Sequence, residues 1–96
     1  KNNSFESITY PQVSDIYYQA GPMKLISQLA DLFKELNDRN ILAIDNSWQA
    51  AIQFLNIMKG ELWMQVEFNV QERISLEEAD KYLCASVDFF IRGYKK

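Results

Sequence analysis

The stretch SWQAAIQFLNIMKGELWMQVEF, residues 47–68, decides the fold. Its apolar residues recur every three or four positions over about six turns, the spacing of an α-helix and not of a strand. They form two stripes. One holds Trp48, Ala51, Ile52, Leu55, Met58, Leu62 and Val66; the other holds Ala50, Phe54, Ile57, Met64 and Phe68. Only Gln49, Gln53, Asn56 and Lys59 supply a polar strip. A helix that is apolar on two sides needs cover on two sides. Its own chain covers one; the other calls for a second protein surface or a bound molecule. Asp45-Asn46-Ser47 marks the start, with Asn46 as cap and Gln49 placed to reach back in a capping box.

On the N-terminal side, Leu25, Ile26, Leu29, Leu32, Phe33 and Leu36 keep helical spacing, opposite Lys24, Gln28, Asp31, Glu35 and Asp38. This predicts an amphipathic helix opened by Pro22 and closed at Asn40, which tolerates the left-handed C-cap conformation. Ile41 to Ile44 is an apolar connector too short to make a sheet. Further upstream, Tyr10-Pro11 predicts a helix start, followed by Val13, Ile16, Tyr17 and Ala20 and stopped by Gly21. Phe5 and Ile8 suit the tail of an earlier helix. Downstream, Asn69 to Ile74 is a polar linker, and Ser75-Leu76-Glu77-Glu78 is a capping box. The last helix carries Leu76, Ala79, Leu83, Val87, Phe90, Ile91 and Tyr94 on one broad face. Tyr82, Ser86, Phe89 and Gly93 form a neighbouring stripe, and Arg92, Lys95 and Lys96 suit the negative end of its dipole. The chain is therefore expected to be an all-α domain of four to five helices spanning residues 1–96.

Composition narrows the function. At 96 residues there is room for one domain, and 48% hydrophobic with 14% aromatic content is rich for that length. A formal charge of −3, with no basic run, leaves no patch to neutralise phosphates, so direct nucleic-acid binding is not expected. There is no histidine and one cysteine, Cys84, which excludes an internal disulfide and argues against a zinc site. Cys84 is expected to be a small buried apolar residue. The acidic residues fall on solvated faces and no nucleophile has a base beside it, so neither catalysis nor a cofactor is expected. With no signal peptide and no run long enough to span a bilayer, the expected compartment is the cytoplasm.

Three stretches together resemble a known family. Tyr10-Pro11-Gln12-Val13 through Tyr17-Tyr18-Gln19-Ala20-Gly21-Pro22 is similar to the aromatic-Pro…aromatic-x-x-Ala-Gly-Pro segment of AefR-like C-terminal domains in TetR-family regulators. Arg39 to Ser47 looks like that group's Arg-Gly-x-Leu-x-Ile-Asp-Asp-Pro connector, and Ala50 to Leu55 with Lys59-Gly60 resembles the helix after it. Ser75-Leu76-Glu77-Glu78 and Val87-Asp88-Phe89-Phe90-Ile91-Arg92-Gly93-Tyr94 resemble its final helix. The order and spacing match along nearly the whole chain. Asn40 stands where the family has a glycine cap, and Ser47 where it has a first-turn proline. Nothing resembles the basic helix-turn-helix head of such regulators, so DNA contact is expected only through a head absent from this chain.

The resemblance implies a sensor that binds a small apolar effector among its helices and forms a homodimer. In such a dimer the last two helices of each protomer build a four-helix bundle. An obligate interface of this kind buries more than about 2,000 Å². For the partner face the expected residues are Trp63, Met64, Leu83, Ser86, Val87 and Phe90. For the pocket they are Tyr17, Leu29, Phe33, Phe54 and Met58, whose rings and thioether suit an apolar cavity and whose tyrosine hydroxyl could hold a polar group. Ordinary core packing is the competing reading for each of these. A different class of function, a free-standing helical adaptor that takes a partner helix in an apolar groove, fits the same amphipathic pattern.

Overall fold

The computed structural model describes residues 4–68 and 75–95, with the side chains of 4–8 and 61–68 excepted. Those residues form α1 (Ser4–Gln19), α2 (Leu25–Asp38), α3 (Ser47–Phe68) and α4 (Leu76–Tyr94). The described residues contain no strand, only one isolated antiparallel bridge between Leu42 and Lys95. The all-α expectation holds, with four helices.

Local chemistry accounts for the ends. Ser75 sits in extended backbone and its hydroxyl accepts from the Glu78 amide at 3.1 Å, while Glu77 and Glu78 lie at the positive end of α4. The Asn46 side chain accepts from the Gln49 amide at 3.0 Å and caps α3. Asn40 adopts φ 62°, the left-handed conformation that asparagine tolerates. The Ile41 amide then bonds the Leu36 carbonyl and the Asn40 amide the Asn37 carbonyl, the two bonds of a Schellman ending. The connector beyond it is docked at both ends. Asn37 accepts from the Ile44 amide at 2.8 Å, and the Tyr94 carbonyl accepts from the Ala43 amide at 2.7 Å. Leu42 and Ile44 are thereby buried.

Two boundaries differ from the sequence reading. Pro11 does not start a helix but lies inside α1, which runs on from Ser4. A proline ring removes one backbone bond and crowds the preceding turn, at a cost of about 3 kcal/mol. Burial of the Val13 side chain, two residues on, helps offset that cost. Likewise α2 begins at Leu25 and not at Pro22, because residues 22–24 form a turn in which the Lys24 amide bonds the Gly21 carbonyl.

α2 packs on α3, α3 on α4, α4 on α1 and α1 on α2. The centre is aromatic. Phe33 of α2 stacks on Phe90 of α4 at 4.8 Å, and Phe54 of α3 meets both rings edge-on, at 6.3 Å and 5.6 Å. Leu29, Leu36, Ala50, Ala51, Met58, Leu83, Val87 and Ile91 close around them. The body measures 42 × 35 × 20 Å, so it is about two helices thick, and among the described residues α3 packs on α2 and α4 but not on α1.

Phe54→Ala should cost about 3–5 kcal/mol of unfolding free energy, because it leaves a cavity between three helices. Met23→Ala, at a side chain 94% exposed, should stay within about 0.5 kcal/mol. Urea titrations of the two variants check this; equal losses would mean that the aromatic centre does not hold the fold.

Candidate functional site

The buried stripe of α3 is Ala50, Ala51, Phe54 and Met58, drawn from both stripes seen in the sequence. Helical steps of 100° then set Trp48, Ile52, Leu55 and Lys59 on one flank and Gln53 and Ile57 on the other, with Asn56 between. Trp48 and Ile52 are 53% and 37% exposed, and Leu55 and Ile57 are half-buried. Each flank opens onto its own concavity.

The first is a groove of about 500 Å³. α1 touches α2 and α4 but not α3 among the described residues, and the groove lies across that gap. The end of α1 contributes Tyr17, the following turn Pro22, the start of α2 Leu25 and Ile26, and α3 Ile52, Leu55, Asn56 and Lys59. Its walls are apolar with three polar tips. The Tyr17 phenol is pushed above its ordinary value by burial, so it stands as a neutral hydrogen-bond donor at neutral pH. Its ring meets that of Tyr18 edge-on at 5.2 Å.

The second, about 590 Å³, lies between α3 and α4 and is lined by Gln53, Asn56, Ile57, Phe89, Phe90, Gly93 and Tyr94. Phe89 is 66% exposed, an aromatic ring left in water. The Tyr94 hydroxyl donates to Gln53 Oε1 at 2.7 Å and ties the two helices across its floor. Gly93 and Gly60 are helical positions where an added Cβ would meet nothing within 4 Å. Glycine costs a helix interior about 1 kcal/mol relative to alanine. No close contact among the described residues requires it at either position.

The expected site residues fall differently. Of the pocket set only Tyr17 lines a groove; Leu29, Phe33, Phe54 and Met58 are fully buried core. Of the partner-face set, Leu83, Ser86 and Val87 are no more than 2% exposed, so they have almost no surface left for another chain. Phe90, at 5%, stacks on Phe33, and only its edge reaches the second concavity. The side chains of Trp63 and Met64 lie outside the described residues. The outward surface of α4 is the neighbouring stripe, with Tyr82 half-buried and Phe89 and Gly93 exposed. Two further expectations are corrected. Cys84 is exposed, since it is turned 100° away from buried Leu83, and Leu76 at the first turn is 78% exposed with nothing over it. The groove residues Ile52, Asn56 and Lys59 were not foreseen; the only sign of them was the polar strip on the two-faced helix.

A third feature joins α1 to α4. The Tyr10 hydroxyl donates to Asp80 Oδ1, and Tyr18, two turns along α1, lines a hollow with Asp80 and Leu76. Burial first, then the bond to Asp80, pushes the Tyr10 phenol up to about 12. Among the described residues no group of three or more His, Cys, Asp or Glu could hold a metal ion. No described helix is long and apolar enough to cross a membrane.

With this geometry in view, the relatives are informative. The model of the AefR-like transcriptional repressor C-terminal domain matches residues 5–96. The chain belongs to that family, the C-terminal domains of AefR-like transcriptional repressors. A solved structure titled "Flavonoid-responsive Regulator FrrA" superposes with a TM-score of 0.63 at 27% identity, covering 94% of this chain. The chain spans 45% of that regulator's length. No curated protein matches it.

The neutral Tyr10 phenol is favoured in the folded chain, so its contribution is complete below its ordinary value of 10.0 and fades as the pH rises through about 12. Stability should therefore fall across that interval. In Tyr10→Phe the fall should be shallower, and the last phenolate absorbance step should vanish from a spectrophotometric titration. An unchanged titration curve would place the late-ionising phenol elsewhere.

Proposed function

We propose that this chain is the effector-sensing and homodimerising domain of a TetR-type transcriptional regulator. The observation that carries the reading is the uncovered apolar surface of α3 and α4 centred on Phe89. TetR-type regulators work as homodimers that bind small effectors, and a two-helix face with an exposed ring and two unexplained glycines fits a second copy. Glycine lets the backbone of a facing helix approach closely, and Phe89 would fill the partner's hollow of about 590 Å³. The partner residues are thus Ile57, Phe89 and Gly93, in place of the buried set read from the sequence.

Effector entry belongs to the opposite flank, at the Tyr17 groove. The neighbour whose title describes it as flavonoid-responsive suggests that small aromatic molecules suit this architecture. An occupant there would press on α1, α2 and α3 together. α1 is the cheapest of these to move. Within the described residues it carries two buried oxygens, Thr9 Oγ1 and Gln12 Oε1, that have no hydrogen-bond partner. Each such atom costs about 1–3 kcal/mol.

Light scattering at micromolar concentration should report a dimer. Phe89→Asp should weaken it by about 2 kcal/mol or more while leaving the helical circular dichroism intact, since the ring is exposed in the protomer. A folded monomer at that concentration would sink the homodimer and favour the adaptor that accepts a foreign helix.

A further inference from the structure

The Tyr17 groove carries more chemical information than its size. Its walls are Pro22, Leu25, Ile26, Ile52 and Leu55, and one turn further along α3 come Asn56 and Lys59. Among the described residues no acidic side chain lines it. The ion pairs among the described residues join Lys34 to Asp38, Arg39 to Glu35 and Arg92 to Asp88, and Lys59 is in none of them. Within the same residues the Tyr17 hydroxyl and the Asn56 amide make no hydrogen bond. The apolar lining therefore carries one cation and two polar groups that are unpaired among the described residues, on a chain whose net charge is −3. A neutral hydrophobe would need none of these groups, and a cation would be repelled by Lys59. A volume of about 500 Å³ falls within the usual range for drug-sized ligands.

We infer that the groove between the end of α1 and the middle of α3 takes a monoanionic amphiphile, an apolar body bearing one carboxylate, with the carboxylate on Lys59. The ammonium is a compact point charge that accepts a carboxylate without a fixed approach direction. Asn56 and the Tyr17 hydroxyl donate to the remaining oxygens, and the body lies along Ile26, Ile52 and Leu55. The inference rests on the reading of this groove as the effector site and adds the charge and polarity of what enters it.

The test is calorimetric titration of the full chain with a matched pair, 1-naphthaleneacetate and 2-(1-naphthyl)ethanol. The carboxylate should bind at least about fivefold more tightly than the alcohol, and the margin should shrink as salt is raised. Lys59→Met keeps an unbranched stem of similar length at an exposed position, where the substitution leaves the fold intact. It should abolish the preference by bringing the affinity for the carboxylate down to that for the alcohol. Equal affinities, or a preference that survives Lys59→Met, would overturn the anionic specificity yet leave an effector groove standing. Ile52→Trp separates that case from a wholly different site. It should block both ligands by filling the trough, and saturable binding undiminished in Ile52→Trp would overturn the groove itself. Saturable binding by neither ligand would overturn the inference, while the dimer measured on the same sample would still decide the wider reading.

Discussion

Everything in this domain is hung on three phenylalanine rings. Phe33, Phe54 and Phe90 come from three different helices and fix their mutual rotation, because the stack of Phe33 on Phe90 and the edge-on approach of Phe54 each hold only in one helical phase. Once Phe54 points inward, the 100° step decides the rest of α3. Ala50, Ala51 and Met58 follow it into the core, and Ile52 and Ile57 are thrown to opposite flanks. The two concavities are consequences of that single orientation. Among the described side chains none fills either of them, and turning α3 to do so would break the aromatic centre.

The connector does for the ends what the rings do for the middle. Asn40 in the left-handed conformation turns the chain out of α2, and the Ala43 and Ile44 amides are taken up by Tyr94 and Asn37. This pins the start of α3 against the end of α4. Tyr94 then serves twice, with its carbonyl holding the connector and its hydroxyl holding Gln53. The second concavity thus has a rigid floor, while its rim, Phe89 and Gly93, is left outside every one of these bonds.

Legibility in the sequence followed the range of the forces involved. Caps act over three or four residues, and Asn46, Ser75 and the Asn40 ending were all visible before any coordinates. Pro11 was misread because its local preference for a first turn is overridden by tertiary burial of Val13, which no local window contains. The site suffered from a different ambiguity. On α4 the apolar residues span about half the helix circumference, and a pattern that broad says that one side is covered without saying where cover stops. Leu83, Ser86 and Val87 proved to be its middle, and Phe89 and Gly93 its uncovered margin. Of the pocket residues Tyr17 was legible because an amphipathic ring with a hydroxyl tip suits an apolar cavity that holds one polar group. Asn56 and Lys59 read as a solvated strip, and only the gap between α1 and α3 gives them anything to face.

The placement of α1 links the two flanks on the proposed reading. Its C-terminal end supplies Tyr17 to the groove, and its middle is tied through Tyr10 to Asp80 on α4, the helix whose far end presents Phe89. A molecule wedged beside Tyr17 can shift α1 only through contacts that differ between two positions of that helix. Because α1 packs on α2 and α4 and does not rest on α3 among the described residues, any such displacement is taken up against those two helices. A shift there alters the angle at which two copies meet, while the Phe33–Phe54–Phe90 centre stays intact. The coupling thus needs no rearrangement of the core, only a helix held by α2 and α4 and separated from α3 by the groove.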